Sequence, residues 1–156
     1  MNKAVVSNIR KLAKERQERP MKRIIQQTGN SCGVACVAML ARISSRDAFR
    51  VGIACYDKDY WSGSHATDNK ELRIMLASVG YKLGREVACE DWNKVPPGSL
   101  AATQWNQKTD FWHWVVYDED DEGGYVLDPN PAVKRYKRRD FSRMKVSCYH
   151  RVKADF

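Results

Sequence analysis

The amino-acid sequence predicts a single α+β domain, with helices in its front half and antiparallel strands in its back half. Its 156 residues are 43% hydrophobic and 29% charged, which is enough apolar material for one buried core. Helical apolar spacing runs through residues 3–79, whereas short strand-like segments between turn signals begin at residue 81. The longest apolar run, around residues 34–41, is far shorter than the ~20 residues that cross a bilayer, so no transmembrane segment is expected.

Four helices are predicted before residue 80, at residues 3–18, 32–43, 45–52 and 69–79. The first is a basic helix with a thin apolar stripe, and Pro20 ends or kinks it, so residues 1–20 are assigned to a basic N-terminal helix and residues 21–156 to the main domain. The second is apolar nearly all round, which is typical of a buried central helix. A turn at residues 28–31 supplies residues that favour its N-cap. Residues 56–68 predict a loop.

Five strand segments are predicted after the last helix, at residues 81–87, 99–103, 111–117, 124–128 and 144–151. The acidic cluster at residues 118–122, followed by two glycines, indicates a hairpin turn. A turn centred near Asp120 and Asp121 places Asp128 opposite His113, with the two Cβ atoms about 5 Å apart. A register slip of one residue would move them to opposite faces.

Charge is distributed unevenly along the chain. The net charge of +8 combines +6 in residues 1–23, −5 in residues 24–132 and +7 in residues 133–156. Basic ends of this kind steer a protein towards nucleic acid, an anionic membrane or an acidic partner, or else form solvated faces or pair with the acidic middle of the same fold. No helix-turn-helix, zinc-finger or RNA-binding pattern accompanies the charge.

Five cysteines at irregular spacing argue against a disulfide framework. The first residues lead into charge instead of an apolar segment, so we expect no secretory signal and a cytoplasmic location. One alternative is a zinc site, for which the candidate ligands are Cys32, Cys36, Cys148 and His150. Their spacing matches no closed structural zinc site well, so neither a metal nor another cofactor is expected.

Cys32 falls in the first turn of the predicted buried helix, where free N–H groups and the helix dipole favour a thiolate. A thiolate is the nucleophile that acyl transfer needs. Gly33 leaves space beside the sulfur for a substrate backbone. Gln26, six residues upstream, is spaced to present its amide to a developing oxyanion together with the Cys32 N–H. Taken alone, a cysteine in such a helix is also an ordinary core residue.

His113 lies between Trp112 and Trp114 on a predicted strand. If Asp128 faces it, the carboxylate fixes the imidazole ring while the other ring nitrogen faces Cys32. The two tryptophans belong either to the core or to the wall of a cleft. Alternation places both away from the face of His113, which favours packing in the core or on the opposite surface. A histidine in an aromatic strand is by itself usually a core residue, so the chain order Cys, His, Asp carries the catalytic hypothesis.

Three segments form one pattern: QQTGNSCGVACVAML at residues 26–40, HWVV at residues 113–116 and DP at residues 128–129. The pattern resembles that of the papain-like bacteriocin-processing peptidases and covers about residues 21–130. Members of that family remove leader peptides after a double glycine, usually at the front of an exporter ATPase. This sequence contains no ATPase motif, and a basic C-terminal extension follows the pattern, so we expect a stand-alone domain.

The resemblance implies a papain-like cysteine peptidase fold, in which a buried central helix carrying the cysteine packs on an antiparallel sheet carrying the histidine and the aspartate. The roles that it implies are nucleophile for Cys32, general base and acid for His113, orientation of the histidine for Asp128 and the oxyanion hole for Gln26. The resulting hypothesis is a cysteine hydrolase that cleaves a peptide or amide bond in a peptide or protein substrate.

Two other functions stay open at this point. One is a catalytically idle papain-like domain that binds a peptide. The other is a protein that binds nucleic acid or an acidic partner through its basic ends. The sequence predicts no oligomeric state and names no scissile bond, and deamidation or acyl transfer would use the same residues.

Overall fold

The structure is a computed structural model that describes residues 3–56, 66–106, 108 and 111–156. The four α-helices of these residues precede the antiparallel strands, which confirms the α+β prediction. The helices are α1 (Lys3–Glu15), α2 (Cys32–Ala41), α3 (Ser45–Cys55) and α4 (Asn69–Ser78). The strands are β1 (Tyr81–Leu83), β2 (Val87–Ala88), β3 (Ser99–Asn106), β4 (Phe111–Asp120), β5 (Gly123–Leu127), β6 (Val146–His150) and β7 (Val152–Ala154). Most of the predicted loop at residues 56–68 lies outside the described residues.

Two antiparallel sheets organise these strands. The larger has the order β2-β6-β3-β4-β5, and β1 pairs with β7 in a second sheet. Because β6 lies between β2 and β3, part of the predicted C-terminal extension belongs to the interior of the sheet. The consecutive strands β3, β4 and β5 form a meander. Strand β4 carries the predicted histidine, His113, and the predicted aspartate, Asp128, directly follows β5.

Capping side chains set the start of α3 and α4, and a residue in a left-handed conformation ends α2. A capping box starts α4, because Asp68 accepts a hydrogen bond from the Glu71 N–H while Glu71 bonds back to the Asp68 N–H. Ser44 accepts from the Asp47 N–H and starts α3. Arg42 adopts a left-handed backbone conformation and ends α2 two residues before the predicted boundary.

Apolar packing covers both faces of the larger sheet. On one face lies α2, whose residues after Cys32 are all buried, in a cluster that includes Trp114 and Val116. Val115 and Tyr117 point to the other face and pack in a second cluster. The basic helix α1 contributes Ile9 and Ala13 to the first cluster. The division into residues 1–20 and 21–156 stays a prediction.

Two predicted strands lie at the boundary between the two sheets. Residues 81–87 contain β1 and the start of β2, and residues 144–151 contain β6 and stop before β7. The pairing changes sheets where the Gly84 N–H donates to the Arg151 carbonyl oxygen at 2.7 Å. A Cβ on Gly84 would lie 3.2 Å from that oxygen, so the glycine permits the close approach of the two backbones.

The predicted register of the β4–β5 hairpin is wrong by two residues. Asp120 pairs with Gly123, so residues 121 and 122 form the turn, and Val116 pairs with Leu127. Continued by one residue, this register sets Asp128 beside Val115 and not His113. A shift of two residues keeps Asp128 on the face that the prediction gave it, so Asp128 still lies diagonal to His113.

Candidate active site

Cys32 is the first residue of α2 and is half-buried. Ser31 occupies the N-cap position but makes no side-chain cap hydrogen bond. Its hydroxyl instead accepts from the N–H groups of Gln27 at 3.1 Å and Thr28 at 2.9 Å, which fixes the turn before the helix. The N–H groups of the first helical turn therefore have no capping side chain, and their partial positive charge is directed at the Cys32 region.

Gly33 has a different role from the one that the sequence suggested. A Cβ at this position would overlap Thr67 Oγ1 and lie 3.1 Å from Leu72 Cδ2. The space beside Gly33 is therefore taken by the segment that leads into α4, and not left for a substrate backbone. This close packing holds Thr67 against the start of α2.

His113 and Asp128 form a short contact, with His113 Nε2 2.7 Å from Asp128 Oδ1. The histidine side chain is 17% exposed and the carboxylate 4%. Burial lowers the pKa of His113, but hydrogen bonds to Asp128 and to Cys32 outweigh burial and raise it to about 9. The imidazole ring is therefore a cation at neutral pH, held between a carboxylate and the sulfur at the start of α2.

Asp128 is held by several donors besides the histidine. The Asn130 N–H donates to Oδ1 at 2.9 Å, and Arg138 Nη1 donates to Oδ2 at 2.9 Å. Burial raises the pKa of Asp128, but the hydrogen bonds from His113, Asn130 and Arg138 keep it below its ordinary value. The carboxylate therefore stays charged, and each of its oxygens has a defined partner.

Gln26 lies close in sequence to Cys32, but its side-chain amide points into the preceding turn. Its Nε2 donates to the carbonyl oxygens of Thr28 at 2.9 Å and Gly29 at 3.2 Å. The buried Oε1 has no hydrogen-bond partner among the described residues. In this arrangement both amide hydrogens are committed to the turn, so a role in an oxyanion hole requires the side chain to rotate.

A cavity of about 200 Å³ opens beside Cys32 and His113. Thr67, Trp112 and Trp114 line it together with those two residues. Trp114 is 2% exposed and donates its Nε1–H to the Thr67 carbonyl oxygen at 3.0 Å, as a core tryptophan would. Trp114 therefore packs in the core, and both tryptophans form a wall of the cavity, which was the less favoured alternative from the sequence.

Comparison with known proteins places this geometry in a known fold. No protein-family model matches the chain, and no curated protein matches its sequence. Among solved structures, it superposes on a double glycine motif protease from an AMS/PCAT transporter, crystallised in complex with the leader peptide. The match has a TM-score of 0.58 and covers 88% of this chain and 96% of that chain, at 15% sequence identity.

The two proteins share a fold. The predicted resemblance to double-glycine peptidases is thus confirmed at the level of structure. At this identity the likeness concerns the path of the backbone, and the roles of individual side chains depend on the geometry described above. No described helix is long and apolar enough to span a membrane.

Arg138 and Arg23 are parts of the site that the sequence did not reveal. Arg23 donates from Nε to the Asp128 carbonyl oxygen at 2.7 Å and from Nη2 to those of Asn130 and Val133. Both arginines lie in the basic ends, where the sequence indicates only an excess of charge. Each of them contacts Asp128, which lies in the acidic middle of the chain and is far away in sequence. No local sequence pattern predicts such a contact.

The basic C-terminal residues also pair with the hairpin turn. Lys137 Nζ and Arg139 Nη2 lie 2.8 and 2.7 Å from Asp120 Oδ2. This agrees with the alternative in which the basic ends pair with the acidic middle of the same fold. The comparisons give no support to a nucleic-acid partner.

Cys36 lies one turn after Cys32 and is more deeply buried. It is fully buried, and burial, with Cys32 and Asp128 adding to the effect, raises the pKa of its thiol well above the ordinary value. All five cysteines are free thiols. Of the zinc ligands considered from the sequence, Cys32 and Cys36 do not join a metal-binding cluster of described residues.

Proposed function

We propose that this protein is a cysteine peptidase that cleaves a peptide or amide bond, with Cys32, His113 and Asp128 as its catalytic triad. The observation that carries the proposal is the 2.7 Å contact between His113 and Asp128, made beside a cysteine that begins a buried helix. A fold shared with a leader-peptide protease supports the same activity. A peptide or protein is therefore the proposed substrate, and five free thiols support a reducing compartment such as the cytoplasm.

In the proposed reaction, the proton of Cys32 has passed to His113, which is the imidazolium, and the thiolate sulfur attacks the carbonyl carbon of the scissile bond. A tetrahedral intermediate forms and its oxygen becomes negative. His113 then donates its proton to the leaving amine, which departs as the carbonyl re-forms in a thioester. His113 next takes a proton from water, the resulting hydroxide attacks the thioester, and the acid product leaves as the Cys32 thiolate re-forms beside the protonated His113.

The oxyanion would be stabilised first by the backbone N–H of Cys32 at the start of α2. Gln26 is the proposed second donor. Its amide would have to leave the carbonyl oxygens of Thr28 and Gly29 and turn towards Cys32. We therefore propose that substrate binding opens this turn, with Gln26 donating to the oxyanion in the reacting complex.

A catalytically idle peptide-binding domain is the competing hypothesis. Peptide binding alone needs no charged imidazole beside a thiol, nor an aspartate held by three donors. These features favour chemistry at the site.

Alkylation rates measured by mass spectrometry test the proposal. Cys148 is also half-buried and serves as an internal control in every sample, with a chelator present. At neutral pH we expect iodoacetamide to modify Cys32 faster than Cys148, and His113→Ala to slow Cys32 at least about tenfold while leaving Cys148 unchanged. Equal rates for the two cysteines in both proteins would contradict the triad.

Cleavage assays then separate catalysis from binding. A panel of peptides, including one with a double glycine, is incubated with wild type, Cys32→Ala and the matched control Cys36→Ala. We expect Cys32→Ala to abolish cleavage and to retain peptide binding, and Cys36→Ala to keep both. Cleavage by Cys32→Ala would show that another residue is the nucleophile.

A further inference from the structure

Three side chains of the types that bind transition metals meet beside β2 and β6. Glu86 directly precedes β2, and Cys148 and His150 lie two residues apart on β6, on the same face of the sheet. Each offers one ligand atom, and these atoms all lie within 4.8 Å of one another. Cys148 Sγ is 3.6 Å from Glu86 Oε1.

His150 is prepared to act as a ligand. The ring is fully buried, and its Nδ1 lies 2.9 Å from the Gly84 carbonyl oxygen. A carbonyl oxygen only accepts, so Nδ1 carries the hydrogen and Nε2 is the nitrogen left to bind an ion. Nε2 is buried and has no hydrogen-bond partner among the described residues. Histidines that bind metals are commonly oriented by such a bond from the other ring nitrogen to a backbone carbonyl.

We propose that Glu86, Cys148 and His150 form a Zn²⁺ site with one coordination position open to solvent. Carboxylate, thiolate and imidazole are the three side-chain ligands that zinc takes, and three protein ligands leave the fourth tetrahedral position for water or another donor. One carboxylate and one thiolate balance the charge of the cation. The burial of His150 and the exposure of Glu86 set the ion at the boundary between core and solvent.

A route for the ion is present. A cavity of about 430 Å³ is lined by Glu86 and Cys148 together with Asn69 and Ser147. The exposed carboxylate is free of the sheet pairing of β2, so it can adjust to the tetrahedral geometry around the ion, whereas the two ligands on β6 are fixed by the strand.

The site adjoins the wall of the cavity beside Cys32. Trp112 and Trp114 line both cavities, and the ring centroids of Trp114 and His150 are 6.0 Å apart. An ion at His150 is thus close enough to tryptophan to change its fluorescence. Tryptophan fluorescence can therefore report binding of the ion independently of enzymatic activity.

The test uses the full chain carrying Cys32→Ser, so that the cysteine of the proposed active site cannot bind the ion. Co²⁺ is titrated into this protein, and the thiolate-to-cobalt charge-transfer absorption is recorded before Zn²⁺ is added to displace it. We expect one equivalent of Co²⁺ to produce the band, Zn²⁺ to remove it, and tryptophan fluorescence to fall with the same midpoint as the band rises.

Three further substitutions in this background locate the ion. Cys148→Ser should abolish the band, and Glu86→Gln should keep the band but weaken Co²⁺ binding at least tenfold. Cys55→Ser, which removes another half-buried cysteine, is the matched control and should change neither. Glu86 is exposed, so Glu86→Gln decides the question even if Cys148→Ser fails to fold.

A band of unchanged intensity in the Cys148→Ser variant would overturn the proposal, because another thiol would then be the ligand. Unaltered affinity in Glu86→Gln would overturn it as well, and so would a folded Cys32→Ser protein that binds no Co²⁺. None of these measurements requires the protein to be a peptidase.

Discussion

Each end of the β4–β5 hairpin has an aspartate that forms an ion pair with an arginine. Both arginines lie in the segment that follows β5. At the open end, Arg138 lies 2.9 Å from Asp128, and at the turn, Arg139 lies 2.7 Å from Asp120. The distances are nearly equal, but the exposures are not. The first pair is 15% and 4% exposed and the second 27% and 26%.

The two ion pairs differ in their surroundings and not in the distance between their charged atoms. At the open end the carboxylate also faces His113, and removal of one partner would leave a poorly solvated charge. At the turn, Asp120 also contacts Lys137, and water can take the place of any partner that is lost. Neighbouring arginines in one basic segment can therefore have opposite importance: Arg138 supports the proposed active site and Arg139 only the surface.

The largest effect is expected for Asp128→Asn. The amide keeps the size of the side chain but removes the charge that holds His113 as a cation, so kcat/KM should fall by about 10² to 10⁴. Peptide cleavage at saturating and limiting substrate measures the change. Asp120→Asn is the matched control at the turn, and a comparable loss in that variant would refute the contrast between the two ends.

Arg138→Gln should have an intermediate effect. The substitution removes the donor to Asp128 Oδ2 and loosens the carboxylate, so we expect kcat to fall about tenfold with little change in KM. The free energy of unfolding in urea should fall by about 2 kcal/mol, less than for a fully isolated buried charge because His113 still faces the carboxylate. A purely structural role would lower stability and leave kcat of the folded protein unchanged.

The pH dependence of cleavage should report His113 directly. Its pKa of about 9 means that the imidazolium persists below that pH and is lost above it, so kcat/KM should decline as pH rises through about 9. The charged ring also contributes to the free energy of unfolding. This contribution is complete below the ordinary histidine pKa near 6.5 and is lost as the pH rises through about 9. Asp128→Asn should move the decline to lower pH, and Arg138→Gln to higher pH. A decline that ignores both substitutions would belong to another group.

The smallest effect is expected for Arg139→Gln. Lys137 still contacts Asp120, and exposed pairs contribute little, so Tm should change by about 2 °C or less and kcat/KM not at all. Thermal unfolding at low and high salt measures it. A larger change in Tm, abolished by salt, would show that the turn is also an essential electrostatic contact.

Local patterns in the sequence were enough to predict the elements that carry the site. The apolar run after Cys32 predicted a buried helix because no solvent-facing residue interrupts it, and residues 118–124 predicted the hairpin because acidic residues and glycines favour a turn. The proximity of His113 and Asp128 followed even though the register was wrong. A shift of two residues preserves the face of a strand, whereas a shift of one would not have done so.

What the sequence could not predict depends on contacts between distant residues. Thr67 fills the space beside Gly33, and Arg138 reaches Asp128 from a segment whose charge alone was visible. The change of sheets at Gly84 and Arg151 has the same origin, because these two residues meet across 67 positions of the chain. Periodicity describes which face a residue occupies, but not which distant residue meets it there.

The position of β6 between β2 and β3 has a consequence for the order in which the domain folds. His113 and Asp128 are 15 residues apart in the chain, whereas Glu86 and Cys148 are 62 apart. Short loops close at a smaller loss of entropy, so we expect the hairpin with its acid–base pair to form before β6 inserts. The proposed zinc ligands would then assemble only in the last step. An ion bound there would slow the unfolding of the finished domain and leave its rate of folding almost unchanged.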